Sequence, residues 1–79
     1  MEKYYIIHNS FGRTTPFDKP ISLVKVIEGE LSVNSEIFSS KNFKFVNNEL
    51  EMINTHLAPY CWGEEVKKET FEALSSSFN

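Results

Sequence analysis

At 79 residues, residues 1–79 are expected to form a single small domain with one modest core, and a second domain is excluded. Eight basic against eleven acidic side chains give a formal charge of -3, which disfavours non-specific nucleic-acid binding and is too mild for a mimic of nucleic acid. The lone cysteine, Cys61, excludes an internal disulfide, and no apolar run approaches the length of a membrane span.

The opening Met1-Glu2-Lys3-Tyr4-Tyr5-Ile6-Ile7-His8 carries none of the basic start, long apolar run and cleavage site of a signal peptide. Cytoplasm is therefore the expected compartment. Within this stretch Tyr4, Ile6 and His8 point one way and Lys3, Tyr5 and Ile7 the other, so neither face is polar. A strand of that kind needs cover on both sides and reads as central in a sheet, with a helix on one face and a loop or partner on the other.

Asn9 to Lys19 reads as the longest loop, pinned by Phe11 and Phe17. Gly12, Arg13, Thr14 and Thr15 have the chemistry for a small anion-binding nest, but no strand-loop-helix phosphate motif surrounds them, and a polar surface loop is the preferred reading. Arg13 is the sole arginine, a residue type that interfaces favour over lysine. From Pro20 to Ile27 two readings compete. Asp18 as a cap, Pro20 and the spacing of Val24, Ile27 and Leu31 suit a helix; the β-branched Val24, Val26 and Ile27 and the break at Glu28-Gly29-Glu30 suit a strand, which is preferred.

Leu31, Val33, Ser35 and Ile37 alternate with Ser32, Asn34, Glu36 and Phe38, giving a half-buried strand that leaves Phe38 facing out or covered by another part of the structure. Ser39 to Asn42 turns the chain into a hairpin whose register is readable. Asn47 and Asn48 tolerate positive φ and suit a two-residue primed turn, which pairs Val46 with Glu49, Phe45 with Leu50, Lys44 with Glu51 and Phe43 with Met52. One side of that hairpin is apolar and the other is a cross-strand ion pair. Asn54 to Trp62, with His56, Pro59 and Tyr60, reads as an irregular connection, and Glu64 to Phe78 as a helix with Glu64 and Glu65 in its first turn and Glu64 placed to pair with Lys68.

Candidate chemistry is sparse. Cys61 and His56 invite a nucleophile or metal reading, but their spacing matches no zinc pattern, and a buried thiol beside Trp62 is the simpler role. Glu28, Glu30, Glu36, Glu49 and Glu51 read as the solvated, acidic face of the sheet, fit to meet a basic surface.

Lys41-Asn42-Phe43-Lys44-Phe45-Val46 resembles the aromatic strand signature of the RNA-recognition-motif family, with Tyr4 to Asn9 loosely similar to its partner strand. The resemblance implies base stacking on Phe43 and Phe45, with Tyr5 as a third ring, whereas a core role for Phe43 and Phe45, paired with Leu50 and Met52, is the preferred reading of the residues themselves. Asn42 and Lys44 depart from the small residues of that signature, and Asn48 from its last aromatic.

These observations lead to an α+β domain: a mostly antiparallel sheet of four or five strands with one C-terminal helix packed on one face. The expected function is non-enzymatic protein binding, by a small inhibitor or accessory factor of phage or mobile-element type. No cofactor, no metal and no membrane are expected; the partner is another protein with a basic surface, and a homodimer is compatible with the sequence. The expected contacts are Arg13, Glu30, Glu36, Phe38 and Tyr60. The alternative is a single-stranded RNA-binding domain that uses sheet aromatics.

Overall fold

The structure, a computed structural model, describes residues 1–9, 22–53 and 61–78. Six strands and one helix lie among them: β1 (Glu2–Asn9), β2 (Ser22–Ile27), β3 (Glu30–Ser35), β4 (Phe43–Val46), β5 (Glu49–Met52), β6 (Cys61–Val66) and α1 (Lys68–Phe78), with a 3-10 turn at Ser40–Asn42 before β4. The fold is α+β, and its strands pair antiparallel throughout.

The two-sided apolar character of β1 dictates the layering. β1 is an inner strand of a four-stranded sheet in the order β3-β2-β1-β6, flanked by β2 and β6. Tyr5 and Ile7 on one face join Val24, Val26, Phe38 and Phe43 in a core completed by half-buried Phe45, Leu50 and Met52 of the β4-β5 hairpin. Tyr4 and Ile6 on the other face join Leu23 and Phe71 of α1, with Val66 and Leu74 at the margin. Tyr4 and Phe71 meet ring to ring at 5.1 Å. The sheet is thus the middle of three layers, and the second cover is the hairpin, where a loop or a partner was the expectation. Ile6, Ile7, Leu23, Val24 and Val26 are fully buried, each contributing about 1.5–3 kcal/mol of apolar burial.

The hairpin has the register its turn chemistry predicts. Phe43 pairs with Met52, Lys44 with Glu51, Phe45 with Leu50 and Val46 with Glu49. Asn47 at φ 56° and Asn48 at φ 62° occupy the left-handed region that a primed turn needs. Lys44 and Glu51 stand 3.9 Å apart on the outer face. Lys3 fastens this hairpin to the sheet: its Nζ donates to the Asn48 carbonyl at 3.2 Å and lies 6.0 Å from the Phe45 ring centroid.

The segment after Pro20 is a strand where the structure describes it, from Ser22, and it closes on β3 through a two-residue turn at Glu28 (φ 50°) and Gly29 (φ 84°). Glycine adopts that conformation freely and glutamate does not. Glu28 is held there by its amide donating to the Met1 carbonyl at 3.0 Å and by its carboxylate accepting from the N-terminal amine at 2.5 Å.

Two expectations are corrected. Phe38 does not face out: it is 6% exposed, whereas Ile37 is 57% exposed. The cause is Ser35, whose Oγ accepts from the amides of Ile37 at 3.0 Å and Phe38 at 3.1 Å, ending the two-residue period of β3 and turning Phe38 inward. There it packs edge-on against Phe43, with ring centroids 5.8 Å apart. Secondly, the helix begins at Lys68, not Glu64; Glu64 and Glu65 belong to β6, so Glu64 does not share a helix with Lys68. The preferred core reading of Phe43 and Phe45 agrees with the structure: Phe43 is buried and Phe45 packs half-buried against the same core, and Tyr5, the third ring of the stacking alternative, is buried as well. The loop expected at Asn9 to Lys19 and the connection through His56 and Pro59 fall largely outside the described residues.

Two substitutions test this layering in urea denaturation. Phe43→Ala is expected to cost about 3–5 kcal/mol as a large-to-small core change, with Val46→Ala on the open side within about 0.5 kcal/mol. Asn48→Val is expected to cost about 1–2 kcal/mol because a β-branched residue resists positive φ, and Asn48→Gly is expected to be neutral or stabilising.

Candidate functional site

β6 is a strand by virtue of its neighbour more than its own composition, since Gly63, Glu64 and Glu65 are weak strand formers. Its register against β1 pairs Asn9 with Cys61, His8 with Trp62, Ile7 with Gly63, Ile6 with Glu64, Tyr5 with Glu65 and Tyr4 with Val66. Trp62, Glu64 and Val66 therefore share the helix face of the sheet, and Cys61, Gly63 and Glu65 the hairpin face. Val66 and Cys61 anchor the two ends, one in each core. Gly63 answers a steric demand: a Cβ there would stand 3.2 Å from Ile7 Cδ1 and 3.8 Å from Leu50 Cδ2.

The residues between those anchors are open to solvent. Trp62 is 43% exposed, the largest side chain of the chain left so far outside the core. It stacks on buried His8, with ring centroids 5.0 Å apart and planes 29° apart. The Glu64 Oε1 lies 3.3 Å from His8 Nε2, and Glu65 Oε1 lies 3.8 Å from Lys3 Nζ, yet the two glutamate side chains remain 46% and 55% exposed. Each carboxylate thus touches a cation or imidazole of β1 on its inner side and water on its outer side. On the strand order, β6 is an end strand among the described residues.

Burial pushes the Cys61 thiol up from its ordinary range, which disfavours the thiolate a nucleophile needs. Among the described residues no group of three His, Cys, Asp or Glu side chains is placed to hold a metal ion.

The contacts expected from sequence do not converge. Arg13 and Tyr60 lie outside the described residues. Glu30 and Glu36 are exposed, but Glu30 opens β3 and Glu36 follows its end, about 20 Å apart along an extended chain. Glu49 and Glu51 stand in the hairpin, a separate layer, so the five glutamates read as one acidic face do not share a single sheet. Phe38 is interior. Along β6, Trp62 and Glu64 share the helix face and Glu65 lies on the hairpin face, three residues that sequence reasoning placed in a connection and a helix.

A second polar concavity, about 610 Å³, lies between α1 and the start of β1, lined by Glu2, Tyr4, Lys25, Lys68 and Glu72 among others. Its charges are mixed in sign. The Tyr4 hydroxyl donates to the Glu2 carboxylate, which lowers the Glu2 pKa, and the same bond together with burial pushes Tyr4 up to about 12. No family model, no curated protein and no solved structure matches this chain.

The Tyr4-Glu2 bond has a defined pH window. Glu2, lowered in the folded state, favours folding above its ordinary value of 4.5, an effect lost as pH falls through the depressed folded value. Tyr4, raised, favours folding below its ordinary value of 10.0, an effect lost as pH rises through about 12. In an NMR titration the Glu2 carboxyl carbon is expected to have its midpoint below 4.5 and to move up toward it in Tyr4→Phe. An unmoved midpoint would contradict the hydrogen bond.

Proposed function

We propose that this protein is a non-enzymatic protein-binding module, an inhibitor or accessory factor, that meets its partner along β6 through Trp62, Glu64 and Glu65. One observation carries the reading: the sole tryptophan is 43% exposed on a strand that ends the sheet among the described residues, with half-exposed Glu64 following it on the same face and half-exposed Glu65 on the opposite face. Leaving a large indole in water forgoes burial that a small core needs, and tryptophan is enriched at interface centres, where it serves as an anchor. The carboxylates select a basic surface and speed its approach. Glu30 and Glu36, at the far side of the sheet, add only to the long-range field.

The RNA alternative rests on Tyr5, Phe43 and Phe45 as a stacking platform, and those rings are committed to the core. The acidic side chains beside Trp62 also repel a phosphate backbone.

Parallel affinity capture from host lysate tests the proposal. Wild type, Trp62→Ala, the Glu64→Lys/Glu65→Lys pair and the Glu30→Lys/Glu36→Lys pair serve as baits, each checked for an unchanged circular dichroism spectrum. A protein retained by wild type and by the Glu30/Glu36 variant, and reduced roughly tenfold or more by the other two, is the expected result. Equal retention on all four baits removes β6 from consideration. Recovery of RNA that leaves with salt points to the alternative.

A further inference from the structure

We infer that the outer edge of β6 takes an extended segment of the partner as an added antiparallel strand, one carrying two consecutive basic residues followed by a large apolar residue. The inference rests on the proposed protein-binding reading and specifies its partner.

Backbone exposure is the first ground. Gly63 is exposed although it has no side chain, and the direction in which a Cβ would point is already occupied by Ile7 Cδ1 at 3.2 Å. The solvent it meets is therefore met by main-chain atoms. An end strand with accessible main chain is a template for another strand, and strand addition is a recurrent mode of peptide recognition.

The side chains on that edge specify what would be added. In an antiparallel pair, directly opposed residues project from the same face. Read from its N-terminal end, the incoming segment would face Val66, Glu65, Glu64, Gly63 and Trp62 in turn. Opposite Glu65, on the hairpin face, and opposite Glu64, on the helix face, a lysine or arginine meets a carboxylate whose other side is already held by Lys3 or His8. Because the two glutamates lie on opposite faces, two adjacent basic residues satisfy both. Opposite Gly63 a ring covers the bare main chain and reaches Leu50, whose Cδ2 is 3.8 Å from the place of the missing Cβ. Opposite Trp62 an aliphatic side chain packs on the indole.

A second copy of this chain fits less well. A twofold axis perpendicular to the sheet keeps each face on its own side, so residues of like parity pair. One such register sets Glu64 against its own mate. A register centred on Glu65 does the same to that residue, again between chains already charged -3 each.

The probe is the peptide acetyl-Thr-Val-Lys-Arg-Phe-Val-Thr-amide, titrated into the whole protein while the emission of Trp62, the only tryptophan, is followed. The expected result is saturable binding, weakened at least tenfold in the Glu64→Lys/Glu65→Lys variant and by raised salt, with slowed amide exchange at residues 61–66. A peptide with Glu-Glu in place of Lys-Arg, and one with the order of the central residues reversed, are expected to bind at least tenfold more weakly. Absence of saturable binding, binding that leaves exchange at residues 61–66 unchanged, equal affinity for the acidic peptide, or sedimentation of the protein alone as a dimer that the double variant dissociates would each overturn the inference. A peptide that fails while Trp62→Ala still strips the partner from the bait overturns strand addition alone; failure of both overturns the surface reading with it.

Discussion

The constraint from which this fold follows is that β1 is apolar on both faces. A strand with Tyr4 and Ile6 on one side and Tyr5 and Ile7 on the other cannot sit at the surface of a small domain without leaving large side chains in water. Four elements answer it. β2 and β6 satisfy its main chain from either side, α1 covers one face with Phe71, and the hairpin covers the other with Phe43, Phe45, Leu50 and Met52. Among the described residues the hairpin has no strand-to-strand pairing with the larger sheet, and it is seated by packing and by Lys3, which reaches both the turn at Asn48 and the carboxylate of Glu65.

The same constraint shapes the candidate site. β6 is required as a neighbour of β1, but the described cover thins out toward the end of the strand that holds Trp62, where the indole rests on His8 and stays partly in solvent. An exposed end strand invites indiscriminate pairing, and charged side chains are a common guard against it. Glu64 and Glu65 supply that guard against an acidic or apolar strand and against a second copy of the chain. A guard of one sign is also a filter, since it admits a segment of the opposite sign. Protection and selectivity here are the same two carboxylates.

Legibility in the sequence followed how many independent signals agreed. In the hairpin, turn chemistry, alternation and the Lys44-Glu51 pair all gave one register, and the observed pairing matches it at every position. β1 was readable because burial on both sides leaves a continuous apolar run. β2 was resolved by its β-branched residues against a weak helical spacing, and the fold class followed from the strands and the C-terminal helix together. Phe38 was misplaced because a side-chain oxygen, Ser35 Oγ, overrode the period of the strand, and pattern counting does not register such a bond. β6 was missed for a related reason. Glycine and two glutamates before a helical stripe look like a helix start, and the strand exists only through tertiary pairing with β1. The strip proposed for interaction was thus illegible because it is assembled by that pairing: the sequence shows Trp62, Glu64 and Glu65 as neighbours but not that alternate ones share a face.

That dependence bears on why recognition would be sited at an edge at all. A 79-residue chain has one helix among its described elements and commits most of its rings to two thin cores, which leaves little material for an enclosed pocket. The groove beside α1 is lined by charges of both signs, with Tyr4 and Glu2 already bonded to each other, so it offers no single chemistry to a ligand. A strand edge needs no enclosure. Its donors and acceptors are main-chain groups that exist in any sheet, its selectivity needs only a few side chains of alternating face, and its rigidity comes from the strand beside it. Because β1 is paired on both sides and buried on both faces, the edge built on it rests against a fixed neighbour.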